Sequence, residues 1–127
     1  KRSKIFSRET DVESLAYQLH NLYCAYEDLF KIIADRFENN IEEGLSYHKE
    51  LLRRMSMAIR GIRPELISEE SLNLLSELRA FRHFFRHAYT YQLDAKKVKL
   101  VLEKALKLKE TFEKDLDEFM DNLKQGE

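Results

Sequence analysis

Apolar residues recur at steps of three and four along most of the chain, which is the spacing of one face of an α-helix. The first apolar stripe runs from Val12 to Ile33 and predicts a long helix that begins at Thr10 or Asp11 and ends near Asn39–Asn40. Three more stripes follow, and each predicts one helix. These stripes run from Leu45 to Ile62, from Leu72 to Ala88 and from Val98 to Leu123.

Polar and special residues mark the expected helix ends. Gly61, followed by Pro64, predicts the end of the second helix. Ser68 and Asp94 are typical N-cap residues and predict the starts of the third and fourth helices, and the third should fade around Thr90–Leu93. Because the connections are short, sequence neighbours should pack antiparallel. The sequence therefore predicts an all-α fold, an antiparallel up-and-down four-helix bundle that forms a single domain over residues 1–127.

The composition narrows the class of protein further. Three Gly and one Pro provide too few turns for a sandwich or barrel. The single cysteine, Cys24, excludes a disulfide scaffold and is interpreted as a packing residue, as are His20 and His48 at the edge of the core. No apolar stretch approaches the ~18 residues of a membrane span, and no signal peptide is recognisable. We therefore expect a cytoplasmic protein without membrane contact, and a homodimer, because the first and third helices carry more aromatic residues than one seam needs.

The charges are segregated along the chain, although the net charge is only −1. Residues 49–63 carry a local charge of +4, and residues 110–127 carry −5. Between Arg79 and His87 lie three arginines, two histidines and no acid. Such segregation can create a positive face that attracts phosphates, or it can simply reflect surface helices that carry their charges in blocks.

The segment of arginines and histidines on the third helix allows three interpretations. Helix geometry places Arg82 and Arg86 on nearly one face, and His83 and His87 on a neighbouring one. The segment could be a polar stripe that pairs with the acidic fourth helix. Metal binding by His83 and His87 is disfavoured, because no ligating carboxylate follows the usual spacing and the arginines would repel a cation. The third interpretation is RNA cleavage without a metal or another cofactor.

RNA cleavage suits these residue types because RNA carries its own nucleophile, the 2′-hydroxyl group. The protein has to supply a base, an acid and positive donors for the pentacoordinate phosphorus. Histidine titrates near neutrality, and the guanidinium group of arginine offers bidentate, permanently charged donors. One chain offers one Arg–His couple, and a two-fold dimer would bring two couples into one cleft.

The segment Arg82–Tyr89 fits the pattern Arg, four residues, His, one residue, Tyr. This pattern resembles the signature of HEPN-domain ribonucleases, in particular the HepT toxins of HepT–MntA toxin–antitoxin pairs. The resemblance implies that Arg82 and His87 are the catalytic pair. His83 is similar to the accessory polar residue that shapes the site, and Tyr89 is similar to the tyrosine that the antitoxin modifies.

The resemblance also implies partners. These are an RNA substrate, a second copy of the chain with the cleft at the dimer interface, and an MntA-like minimal nucleotidyltransferase that transfers AMP from ATP to Tyr89. Arg79 and Arg86 lie outside the motif and are assigned to phosphate contacts, Arg86 as an accessory active-site residue, with Arg53 and Arg54 as weaker candidates. Two alternatives stay open: a non-catalytic HEPN-type bundle that binds a nucleotidyltransferase or a nucleotide, and a structural helical dimer.

Overall fold

A computed structural model describes residues 9–37, 47–86 and 94–125, and these residues form four helices with no strand beyond an isolated bridge between Ile59 and Arg63. The all-α prediction is therefore confirmed for the described residues. The helices are α1 (Glu9–Phe37), α2 (Tyr47–Met55), α3 (Glu69–Arg86) and α4 (Ala95–Gln125).

The three long helices alternate in direction along the chain. Helix α3 is antiparallel to α4, since Ser68 contacts Asp115 while Glu77, further along α3, contacts Lys104. Helix α1 packs against both of them. Its ring contacts with α4 advance together along the two helices, from Tyr26 against Phe112 to Phe37 against Phe119, so α1 and α4 are parallel.

This arrangement corrects the predicted antiparallel up-and-down order of the four helices. Strict alternation of four helices would make α4 antiparallel to α1. Helix α2 has only nine residues and packs against α1 and α3 within the connection between them. The alternating elements are therefore α1, α3 and α4, and α2 is a short addition on their side.

Helix α2 also ends earlier than the sequence predicts, at Met55 instead of near Gly61. Ile59, which the spacing places on the helical stripe, instead exchanges two backbone hydrogen bonds with Arg63 (2.9 and 3.0 Å). Gly61 has a φ of +78°, the left-handed backbone conformation that glycine adopts without strain. The four-residue spacing from Met55 to Ile59 therefore extends into a turn and does not indicate a helix there.

The guanidinium group of Arg63 explains why this turn is stable. The residue is only 4% exposed, and it donates to the carbonyl oxygens of Met57 and Pro64 from Nη1 and of Arg54 from Nη2, each at 3.0 Å. These carbonyl groups lie at and after the end of α2, where no further helical turn can bind them. A charged side chain thus takes the place of the helical hydrogen bonds that the apolar spacing predicts.

The core lies between α1, α3 and α4, with α2 closing one side. Most of it comes from the predicted apolar stripes, which confirms the periodicity as a guide to the buried face. Its members are Val12, Ala16, Leu19, Tyr23, Phe30 and Ala34 of α1, Leu51, Leu52 and Met55 of α2, Leu75, Leu78 and Phe81 of α3, Val98, Ala105, Leu108, Phe112 and Phe119 of α4, and Leu66 and Ile67 before α3.

Both predicted N-caps are confirmed. The Oγ atom of Ser68 accepts from the backbone N–H of Ser71 (3.2 Å), and Oδ1 of Asp94 accepts from the backbone N–H of Lys96 (2.9 Å). The start of α3 is also held from α4, because the buried Asp115 accepts hydrogen bonds from the backbone and side chain of Ser68 and from Oγ of Ser71. These contacts fix the register of α3, the helix that carries the predicted site.

Candidate functional site

The arginines of the predicted site that the structure describes are Arg79 and Arg82, one turn apart on α3. Both are half-buried, and the Nε atom of each is buried with no hydrogen-bond partner among the described residues. A buried N–H group without a partner is unusual in a folded protein, because it loses its bond to water and gains nothing in return. Each of these two side chains therefore has one N–H donor, at Nε, that no described residue binds.

Tyr23 of α1 lies within electrostatic range of these arginines. Its side chain is fully buried, and its hydroxyl group donates to Oε2 of Glu27 (3.0 Å). Burial raises the pKa of Tyr23 well above its usual range, and the negative charge of Glu27 raises it further. The positive charges of Arg79 and Arg82 act in the opposite direction and lower this pKa, but they do not outweigh burial.

Glu27 links Tyr23 to a histidine on α2. The carboxylate is 3% exposed, and its Oε2 atom lies 2.5 Å from Nδ1 of His48. The side chain of His48 is 36% exposed, so one end of this hydrogen-bonded chain reaches the surface. We call the three residues Tyr23, Glu27 and His48 the Glu27 relay.

Sequence reasoning missed the Glu27 relay. It placed Tyr23 on the apolar stripe and interpreted His48 as a residue at the edge of the core. The four-residue spacing of Tyr23 and Glu27 on one helix was a usable signal. The link from Glu27 to His48 spans 21 residues and two helices, so no local pattern indicates it.

The remaining residues of the predicted motif are less completely described. His83 is exposed on α3. Arg86 is the last residue of that helix, and its side chain lies outside the described residues, as do His87 and Tyr89. Their predicted roles therefore stay predictions.

The two weaker phosphate candidates lie on α2. Arg53 is exposed and donates from Nε and Nη2 to the carboxylate of Glu50 (3.0 and 2.5 Å). These hydrogen bonds lower the pKa of Glu50 and raise that of Arg53. Arg54 is half-buried, and its backbone carbonyl accepts from Arg63. Because Arg53 already has an acidic partner, its charge is less available to a phosphate group than that of an unpaired arginine would be.

The register of α3 and α4 argues against pairing of the arginines with the acidic part of α4. That part, residues 110–127, lies beside the start of α3, where Asp115 meets Ser68. The ion pairs between the two helices join Glu70 and Glu77 of α3 to lysines of α4. The end of α3 instead lies beside the first half of α4, residues 95–109, which contains six lysines and one glutamate.

This placement brings the arginines of α3 and the lysines of α4 together at one end of this helix pair. Lys97 of α4 lies over the ring of Phe84, with 5.3 Å between Nζ and the ring centroid, two residues beyond Arg82. Arg79 and Arg82 therefore share this end with the lysines of α4. A chain with a net charge of −1 can in this way present a local positive surface.

Metal-binding clusters and membrane-spanning helices are both absent from the described residues. No group of three or more His, Cys, Asp or Glu side chains within residues 9–37, 47–86 and 94–125 could hold a metal ion. In the same ranges, no helix has the length and apolar character needed to cross a membrane.

The described residues form an all-helical bundle, and the sequence carries an Arg-x4-His-x-Tyr segment that begins on α3. In a comparison with protein-family models, residues 14–123 match the model described as HepT-like protein. The chain therefore belongs to the HepT-like family and is a HEPN protein of the HepT type. Searches of curated proteins and of solved structures gave no significant match.

Proposed function

We propose that this protein is the toxin of a toxin–antitoxin pair and acts in the cytoplasm as a metal-independent endoribonuclease on tRNA or mRNA. The observation that carries the proposal is Arg82, which α3 holds beside the lysine-rich first half of α4, with its Nε atom buried and unbonded among the described residues. Membership of the HepT-like family supports the same function. A guanidinium group in this setting is suited to a phosphodiester, which offers the two acceptor oxygens that it can bind in parallel.

The proposed chemistry is an internal transesterification. The 2′-oxygen of the RNA attacks the adjacent phosphorus as its proton passes to a base, and the bond from phosphorus to the 5′-oxygen breaks as that oxygen takes a proton from an acid. The products are a 2′,3′-cyclic phosphate and a free 5′-hydroxyl group. Arg82 stabilises the charge on the pentacoordinate phosphorus, and His87 carries out one proton transfer. A homodimer would place two such couples in one cleft.

Control of the toxin is assigned to Tyr89. An MntA-like nucleotidyltransferase transfers AMP from ATP to its hydroxyl group and releases pyrophosphate. Each AMP adds a negatively charged phosphate three residues after Arg86 in the sequence. The added phosphate competes with the RNA backbone for the same donors and blocks entry to the cleft.

The test combines a cleavage assay with intact-mass measurement. Purified protein, expressed with and without the nucleotidyltransferase, is incubated with bulk tRNA in EDTA. We expect cleavage by the unmodified protein, and loss of cleavage together with a mass increase of one or more adenylyl groups on Tyr89 after co-expression. His87→Ala should lower the rate about 10²–10⁴-fold, whereas His20→Ala on α1 should not change it. Tyr89→Phe should cleave RNA and escape the partner.

The same experiment defines the result that would overturn the proposal. Folded, dimeric wild-type protein that leaves tRNA intact and shows no change in mass would overturn the proposal. That outcome favours the non-catalytic HEPN-type bundle that binds a nucleotidyltransferase or a nucleotide.

A further inference from the structure

Tyr17 is an aromatic residue that α1 leaves open to solvent. It is 58% exposed, and Phe84 is the only other exposed Phe or Tyr among the side chains that the structure describes. Lys97 lies over the ring of Phe84, whereas the ring of Tyr17 runs nearly parallel to that of His20, with 6.5 Å between the centroids and 13° between the planes. The half-buried His20 therefore restrains the Tyr17 ring, while much of that ring stays accessible to another molecule.

Contacts between the helices define which residues of α1 and α3 lie level with each other. The hydroxyl groups of Ser71 on α3 and Thr111 on α4 lie 2.9 Å apart. Phe112, the next residue of α4, packs edge to face against Tyr26 of α1, with 5.3 Å between the ring centroids. Ser71 therefore lies about level with Tyr26.

From this common level, Tyr17 and the arginines of the proposed site lie in the same direction. Helix α3 runs antiparallel to α4, and α1 runs parallel to α4, so the start of α1 lies toward the end of α3. Tyr17 precedes Tyr26 by about 14 Å along α1, and Arg79 and Arg82 follow Ser71 by about 12 and 16 Å along α3. Tyr17 is thus level with the two arginines whose Nε atoms have no partner among the described residues.

Tyr17 also lies on the side of α1 that is turned away from α4. At about 100° per residue, the nine residues between Tyr17 and Tyr26, which contacts α4, place the two side chains on opposite faces. His20 lies two turns before Glu27 on nearly the same line of the helix, and Glu27 contacts His48 of α2. Helices α2 and α3 pack against each other and against α1. The Tyr17–His20 pair therefore lies on the side of α1 that borders α2 and α3.

An exposed aromatic ring beside arginines suits an unpaired nucleotide. A guanidinium group binds the phosphate oxygens, and an aromatic side chain stacks on the base, since every base has a π-face. The axes of packed helices lie about 8–10 Å apart, and one nucleotide bridges such a distance between its phosphate group and its base. A base inside a duplex is covered on both faces by its neighbours and cannot stack on a protein ring.

We propose that Tyr17 is a nucleobase-binding residue of the RNA site, whose ring stacks on an unpaired base while Arg79 and Arg82 bind the adjacent phosphate group. The inference rests on the proposed function, because its ligand is the same RNA, and it adds that this RNA presents an unpaired nucleotide. Stacking accepts any base. Tyr17 therefore selects unpaired over paired RNA and does not select one sequence.

The first experiment measures binding to RNA that cannot be cleaved. The ligands are a short single-stranded oligonucleotide with 2′-O-methyl groups throughout, which lacks the nucleophilic 2′-hydroxyl group, and a duplex of the same length. Tyr17→Ala should raise the Kd for the single strand about tenfold and leave the Kd for the duplex within about twofold. Tyr17→Phe keeps the ring and should restore wild-type binding. The matched control Met120→Ala removes an exposed apolar side chain from the acidic half of α4 and should bind both ligands like wild type.

Two results of this experiment overturn the inference. The first is a folded Tyr17→Ala variant that binds the single strand as tightly as wild type. The second is an equal loss of affinity for the single strand and the duplex, because the ring would then contact the RNA backbone and not a base. The proposed function fails by a different result, namely wild-type protein that leaves tRNA intact in the cleavage assay.

The second experiment changes the RNA and therefore does not depend on the folding of a variant. A strand of the same length that is abasic throughout keeps the sugars and phosphates and loses every π-face. Wild-type protein should bind the abasic strand about tenfold more weakly than the parent strand. Tyr17→Ala should bind the two strands within about twofold of each other, since its stacking contact is already lost. Wild-type protein that binds both strands equally well overturns the inference.

Discussion

The buried hydroxyl group of Tyr23 is stable inside the bundle because it donates a hydrogen bond to Glu27. The side chain is fully buried, and the resulting rise in its pKa means that the folded protein retains the phenol proton at a pH where the unfolded chain has lost it. In the unfolded chain the phenol titrates near pH 10. The stabilisation from a neutral Tyr23 is therefore complete below about pH 10 and is lost as the pH rises above that value.

We predict that Tyr23→Phe changes the dependence of stability on alkaline pH. At pH 8 the variant should be less stable than wild type by about 1 kcal/mol, because the hydrogen bond to Glu27 is lost. Between pH 9 and pH 11 wild type should lose about 1.4 kcal/mol relative to the variant, since only the wild-type chain gains free energy by ionising Tyr23 on unfolding, so the difference should close and slightly reverse by pH 11. Urea unfolding midpoints at pH 8, 9, 10 and 11 measure the effect.

The control is Tyr17→Phe, which changes a side chain of the same helix that is 58% exposed. It should follow the wild-type curve across the whole pH range. If the gap between Tyr23→Phe and wild type stays constant up to pH 11, Tyr23 ionises alike in the folded and unfolded chains, and the account of its environment is wrong.

At the scale of the helices, α3 is held in register by a residue of α4. Asp115 is buried and accepts three hydrogen bonds from Ser68 and Ser71 at the start of α3. The hydroxyl groups of Ser71 and Thr111 also lie within hydrogen-bond distance of each other (2.9 Å). The carboxylate therefore extends the N-cap of α3 from a neighbouring helix and adds negative charge where the helix dipole favours it.

We predict that Asp115→Ala destabilises the fold by about 2–3 kcal/mol, because it leaves the donors of Ser68 and Ser71 buried without their acceptor. Urea unfolding at pH 7 measures the loss. Asp117→Ala, an exposed acidic position on the same helix, should stay within about 0.5 kcal/mol of wild type. Equal stability of the two variants would show that Asp115 adds nothing to the start of α3.

The helices also show which features a sequence can predict. Apolar spacing and N-cap residues predict the positions of α1, α3 and α4 well, because both features depend on residues within one or two helical turns of each other. The end of α2 was predicted wrongly, since the carbonyl groups after Met55 are bound by Arg63, whose role becomes visible only once the turn is folded. The Arg82 motif is visible in the sequence because its residues lie within eight consecutive positions. The Glu27 relay is not, because its partners lie on two helices.

At the scale of the whole molecule, the antiparallel register of α3 and α4 separates charge toward two ends. The acidic second half of α4 lies beside the start of α3, and its lysine-rich first half lies beside Arg79 and Arg82. The net charge of −1 therefore says little about the field that an approaching polyanion meets. RNA should meet the end of the bundle that carries the arginines of the site.

The dependence of tRNA binding on salt concentration measures the strength of this electrostatic field. Binding of tRNA should weaken as salt rises, because each phosphate contact releases condensed counterions. We predict that the double variant Arg79→Ala/Arg82→Ala lowers the slope of log Kd against log salt concentration by about one unit per lost phosphate contact. The matched control removes two lysines from the acidic half of α4, Lys114→Ala/Lys124→Ala, and should keep the wild-type slope. Kd values at 50, 100 and 200 mM salt measure both slopes, and equal slopes for the two double variants would place the RNA away from the arginines of α3.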